Sequence, residues 1–357
     1  MDAAQKLDNS STMIRLLLIL VWCFMLLCPV SSLYGQINDA NSLNEHKRDN
    51  YSFIVGGHYY GNSSNKTGIP ANTIVANLGV FNDSEIDFQM VVGDVFLDIK
   101  NDYKRYTETF FSRLQKPLFI AVGNHDVSGK FFQDNIGPTC FSFNYGGDVH
   151  IVLNTEKDDG SIIDEQLTVL RKGCSSEANN IFIYSHRPIW FEENPEMKDI
   201  FKNNSRSKFG VNYQSEVEPI LKLIPKNRNV YWFSGSLGGS APASFFYHSE
   251  DNIHFIQTAI RGLKRDAVLK VSSIKGEIKF STISLTDEEL DELESFNLEF
   301  WRSAHPKEDF NPRLIKMYVL NAVFHRFFWY GFVSSMVTIL AFLYWKRRKR
   351  NYKKLNG

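Results

Sequence analysis

Three groups of polar residues stand at the carboxyl ends of apolar, strand-like runs. Asp94 follows Phe88-Gln89-Met90-Val91-Val92 through Gly93, and Asn124, His125 and Asp126 follow Leu118-Phe119-Ile120-Ala121-Val122 through Gly123. His186 and Arg187 follow Ile181-Phe182-Ile183-Tyr184 through Ser185. Carboxylate, amide oxygen and imidazole are ligands for Mn²⁺, Fe²⁺ or Zn²⁺. Open α/β sheets bind ligands outside the carboxyl ends of their strands, which is where these residues gather. In His125-Asp126 the carboxylate would raise the imidazole pKa and fix its tautomer, which suits proton transfer. The same Asn124-His125-Asp126 run can instead cap a strand-to-helix turn through side-chain to backbone bonds. Arg187 carries the planar fork that grips phosphate, and is equally an ordinary surface residue. Asp98 is a carboxylate near Asp94, or simply a loop residue.

Elements of two periods must position these groups. Strands are expected at 52–55, 88–92, 118–122, 140–144, 150–154, 180–184, 229–233, 244–248, 253–258, 267–271 and 277–282. Helical spacing marks 102–114, where Tyr103, Tyr106, Phe110, Phe111 and Leu114 share a face, and also 163–171 and 215–223. Early strands alternate with helices and the last succeed each other through short turns, so the expected architecture is two mixed sheets with helices outside. Ser284-Leu285-Thr286-Asp287-Glu288-Glu289 reads as a capped helix start with an acidic first turn. It would begin a helical stalk over 286–326.

Over 51–285 the chain resembles the calcineurin-like metallophosphoesterases. That family reads, in order, Asp-x-His, Gly-Asp, Gly-Asn-His-Asp/Glu, a single His after a strand, and Gly-His-x-His. The resemblance implies a four-layer α/β/β/α metallophosphoesterase sandwich with a dinuclear metal centre between its sheets. It aligns Asp94 with the bridging ligand, Asn124 and His186 with second-metal ligands, and His125 and Asp126 with the pair beside the phosphate. The departures fall on the ligands. Gly56-Gly57-His58-Tyr59 stands where the first motif belongs, so His58 is retained without its Asp, or both are lost. Gly235-Ser236-Leu237-Gly238 stands where both terminal histidines belong. The retained ligands suit one ion rather than two. One ion can polarise a phosphoryl oxygen and activate water, but it cannot clamp attacking and leaving oxygens together.

The ends of the chain address a membrane. Phe327–Trp345 holds 19 residues without a charged side chain, long enough as a helix to cross roughly 28 Å of hydrocarbon. Lys346-Arg347-Arg348-Lys349-Arg350 comes directly after it, which places the tail 346–357 in the cytoplasm. Residues 1–35 read as a signal peptide or signal anchor, with Arg15 before a leucine-rich segment and Val30-Ser31-Ser32 after it. The chain is then a single-pass membrane protein with its domain on the exoplasmic side. Cys140 and Cys174 remain in that domain, and spacing does not decide their pairing. Asn62, Asn65, Asn82 and Asn203 begin glycosylation sequons, usable only in a eukaryotic secretory pathway.

The formal net charge of zero gives no electrostatic reason for nucleic-acid binding. Three functions remain open at this point. The chain is a phosphoesterase acting on phosphate esters, lipid-linked ones included, with an attenuated metal site. Alternatively it is a catalytically inactive fold kept for binding or assembly, or its site is completed by a partner's ligands.

Overall fold

In the computed structural model of the chain, the described residues are 37–39, 43, 50–191, 194–197, 200–201, 211–304, 323 and 326–355. The expected signal segment lies outside them.

All eleven expected strands form, with ends within three residues of expectation. They are β1 (Asn50–Gly56), β2 (Phe88–Val91), β3 (Leu118–Ile120), β4 (Phe141–Tyr145), β5 (Asp148–Val152), β6 (Asn180–Ser185), β7 (Asn229–Ser234), β8 (Phe245–Glu250), β9 (Ile253–Thr258), β10 (Ala267–Ile274) and β11 (Glu277–Ser284). One sheet has the order β11-β10-β1-β2-β3 and the other β4-β5-β6-β7-β9-β8. β1, β2 and β3 are parallel, as are β5, β6, β7 and β9, while antiparallel strands close the flanks.

Side chains alternate faces along a strand, and the apolar clusters obey that rule. Phe53, Val55, Phe88, Phe119, Phe182, Tyr184 and Phe233 point into the space between the sheets. Ile54, Val91 and Ile120 point outward from the first sheet, onto α1 (Asn72–Ala76), α2 (Leu78–Phe81), α3 (Ile99–Thr109) and α4 (Phe131–Asn135). Ile181, Ile183, Val230 and Trp232 point outward from the second, onto α5 (Asp164–Cys174), α6 (Glu218–Lys222) and α7 (Leu298–Ser303). Three apolar interfaces make a four-layer α/β/β/α sandwich. Strands buried on both faces read as continuous apolar runs, which is why they were visible in the sequence.

The chain after β11 departs from expectation. No helix begins at Ser284; its Oγ accepts from the backbone N–H of Thr286 and Glu288 at 3.2 and 3.0 Å, closing a turn. Leu293 and Phe296 then enter the layer between the sheets, and Trp301 packs on the outer layer while donating from Nε1 to the Phe245 carbonyl at 3.0 Å. The folded unit therefore continues through α7, and the expected stalk beyond it lies mostly outside the described residues. A separate unit holds α8 (Arg326–Leu355). Its Phe328–Lys349 stretch, of mean hydropathy 1.4, is long and apolar enough to cross a membrane.

Two further details constrain the fold. His150 lies between the rings of Phe143 and Phe182, with its nitrogens 2.9 Å from the Tyr184 hydroxyl and 3.2 Å from that of Tyr51. Asn65 donates both amide hydrogens, to the carbonyls of Tyr60 and Ile69 at 2.9 and 3.0 Å. Cys140 and Cys174 are both free thiols.

Candidate metal centre

The parallel strands deliver their terminal loops to one edge, and close backbone approaches shape those loops. His58, beyond β1, has φ +54°, and Asp94, beyond β2, has φ +58°. Each non-glycine residue in this region costs roughly 1–3 kcal/mol, so the surroundings must hold it there. The His58 N–H donates to the Gly93 carbonyl at 2.9 Å, which ties the two loops together. Gly93 has φ +85°, and a Cβ on it would fall 2.4 Å from His186 Nδ1. A Cβ on Gly235, beyond β7, would fall 2.1 Å from the Val92 carbonyl oxygen. Only glycine at these two positions lets the sheets approach closely enough to bring His186 against Asp94.

His58, Asp94 and His186 form one buried cluster, with ligand atoms within 4.8 Å of one another. His58 Nδ1 lies 3.2 Å and His186 Nε2 3.5 Å from Asp94 Oδ2. Both ring nitrogens are buried and neither makes a hydrogen bond. His186 Nδ1 lies 2.9 Å from the Val92 carbonyl oxygen. It must donate there, which turns Nε2 toward Asp94 and leaves that nitrogen as the one a metal ion would take. Burial, then the cationic Arg261, hold His58 well below the usual imidazole pKa, so its ring is neutral. Two imidazoles and a carboxylate, with both nitrogens turned toward one oxygen, fit a single divalent ion.

The other expected ligand is placed differently. Asn124 is exposed, and its Oδ1 accepts from Arg187 Nη2 at 3.1 Å. The Arg187 fork also engages Glu156, through Nε at 2.8 Å and Nη2 at 3.1 Å. Of the retained ligands, the structure thus joins Asp94 and His186 to His58 and turns the Asn124 oxygen to a guanidinium. Glu156 also lines an adjacent cleft of about 360 Å³ with Val127, Phe132, Thr139 and Cys140.

His125 and Asp126 are separately anchored. Asp126 is fully buried and accepts three backbone N–H groups, from Asp94 at 2.8 Å, Gly123 at 2.9 Å and Phe96 at 3.1 Å. Burial and the neighbouring Asp94 push its carboxyl up, and these donors oppose the shift. His125 Nδ1 instead takes the Leu97 carbonyl at 2.7 Å, while its ring leans on Tyr60. A backbone carbonyl, rather than Asp126, therefore fixes the His125 ring. Asp98 caps α3, accepting from Lys100 N and Asn101 N.

The missing ligands leave no room behind. A Cβ on Gly56 would meet Tyr59 and Val268 at 3.0 and 3.3 Å, and one on Gly57 would fall 2.7 Å from the Thr258 carbonyl. A residue that sequence reasoning did not single out fills part of the centre. Arg261, beyond β9, brings Nη2 to 3.2 Å from His58 Nε2. A cationic side chain three residues past the expected strand 253–258 was its only sequence signal.

No protein-family profile and no curated protein sequence matches the chain. Among solved structures, it is similar to a dimetal phosphatase from Danio rerio, at 11% identity and TM-score 0.44 over 66% of this chain and 99% of that one. It is similar also to a purple acid phosphatase from yellow lupin, at 12% identity and TM-score 0.42 over 69% of this chain. The match spans 53%, about half, of the lupin protein. A predicted phosphoesterase from Streptococcus pneumoniae aligns over 68% of this chain and 93% of its own, at 12% identity and TM-score 0.33. The four-layer α/β/β/α sandwich, with Asp94, Asn124 and His186 carried on the loops after β2, β3 and β6, is the arrangement expected from the resemblance to the calcineurin-like metallophosphoesterases.

Proposed function

We propose that the chain is a membrane-anchored phosphoesterase that holds one divalent ion, Mn²⁺, Fe²⁺ or Zn²⁺, through His58, Asp94 and His186. The observation that carries this reading is the pair of buried ring nitrogens that converge on Asp94 Oδ2 and have no other partner. A bound ion would supply Lewis-acid polarisation of a phosphoryl oxygen and a water of lowered pKa. The protein's own part is positioning. Leu97 holds His125 Nδ1, leaving Nε2 to exchange a proton with an ester oxygen. Asp126 is the structural anchor of this pair, since its three bonds fix the backbone of the Asp94 and Gly123 loops. The positive-inside rule puts the domain on the exoplasmic side, where esters at the membrane surface, lipid-linked ones included, are within reach.

Ion binding and phosphodiester hydrolysis by the full chain in detergent micelles test the reading. Mn²⁺-dependent turnover should vanish in Asp94→Asn, and ion affinity should fall about 100-fold or more with the central carboxylate gone. Ion binding unchanged in Asp94→Asn would sink the proposed ligand set. The second reading, an inactive binding module, draws on the engagement of Asn124 by Arg187 and the filled space behind Gly56 and Gly57. Under it, neither protein binds the ion.

A further inference from the structure

We propose that Arg261 is a tethered cation that competes with the divalent ion for His58. This inference rests on the ion-binding reading above. A guanidinium has N–H donors and no acceptor. Its Nη2, 3.2 Å from His58 Nε2, therefore requires a lone pair on that nitrogen. A neutral imidazole carries one proton, so the proton sits on Nδ1, the atom facing Asp94 Oδ2 at 3.2 Å. An ion needs the opposite tautomer, with Nδ1 bare and Nε2 protonated. That form would set an N–H against an N–H of the guanidinium. His58 can serve Arg261 or the ion, and the two exclude each other.

Arg261 is built in rather than adventitious. Its backbone N–H and that of Gly262 both donate to the buried carboxylate of Asp266 at 2.9 Å, and its carbonyl accepts from Asn62 Nδ2 at 2.9 Å. The backbone is held on both sides, so only the side chain can withdraw. The guanidinium thus supplies positive charge beside Asp94 where the lost carboxylate and histidine ligands leave the centre short of donors. It also makes ion occupancy conditional on moving one side chain.

Free-Mn²⁺ electron paramagnetic resonance titration of the full chain in micelles tests this, comparing wild type, Arg261→Gln and His186→Ala. An opposite or like charge within a few ångströms shifts such equilibria by about 10- to 100-fold. Arg261→Gln should therefore bind Mn²⁺ at least about tenfold more tightly than wild type, and His186→Ala more weakly than both. Equal or weaker binding by a folded Arg261→Gln, with wild type still binding, overturns the competition and leaves the centre standing. No binding by any of the proteins overturns both. A second readout needs no substitution at Arg261. In ¹⁵N spectra of wild type, with His58 assigned by His58→Gln, the ring should be Nδ1-protonated without metal and Nε2-protonated with Zn²⁺. An Nε2-protonated His58 in the metal-free protein would rule the proposal out.

Discussion

At the scale of single residues, absent side chains govern the centre as much as those present. Gly235 sits where a methyl group would strike the Val92 carbonyl at 2.1 Å, and that carbonyl is the partner of His186 Nδ1. Backbone oxygen cannot swing aside like a flexible side chain, so Gly235→Ala should destabilise the domain by about 2–3 kcal/mol. For a domain of this size that lowers the thermal midpoint by roughly 4–12 °C, measurable by circular dichroism. A midpoint within a degree of wild type would show that the sheets can part at this edge without cost. Asp94 and His186 were legible because each comes after an apolar run and a small residue. Arg261 was not, since it is remote in sequence from His58 and its role depends on β9 lying beside β7, a register that no local pattern encodes.

Among elements, strands were far easier to read than the segment beyond β11. Sheets covered on both faces force every strand position toward apolar residues, whereas Thr286-Asp287-Glu288-Glu289 has the composition of a helix cap and forms none. The competing demand is tertiary: Leu293, Phe296 and Trp301 are spaced to cover open edges of the two apolar layers. Trp301 stands against Phe246 and Phe201 at ring separations of 5.5 Å. Trp301→Ala should cost about 3–5 kcal/mol, read from the urea midpoint of the full chain. A cost under about 1 kcal/mol would mean that α7 is an appendage, as the expected stalk would have been.

For the whole molecule, stability should depend on pH through a residue far from the centre. Burial pushes the His150 imidazole down to about 3, against about 6.5 in an unfolded chain. Below pH ~6.5 the unfolded chain binds a proton that the fold refuses, so this contribution is full above that pH and lost as pH falls toward 3. Asp148, whose carboxyl burial raises, works in the opposite direction. The comparison is therefore with His150→Phe, which removes the imidazole titration along with the hydrogen bonds to Tyr51 and Tyr184, so the pH slope and not the absolute midpoint is compared. Urea midpoints of wild type should fall more steeply between pH 7 and pH 4.5 than those of the variant, each pH unit being worth at most about 1.4 kcal/mol per proton. Parallel slopes would show that His150 takes its proton inside the fold.

Asn65 also bears on where such a chain can be made. Its carboxamide has two hydrogens, and the carbonyls of Tyr60 and Ile69 take both. Attaching an oligosaccharide replaces one of them, and glycosyltransferases act on the nascent chain before this loop has closed. In a host that decorates Asn-x-Thr, the sugar and the loop would compete for one nitrogen. The loser would be the segment that carries Tyr60 and, through Asn62, steadies Arg261. A glycan there would be felt at the candidate metal centre without touching His58, Asp94 or His186.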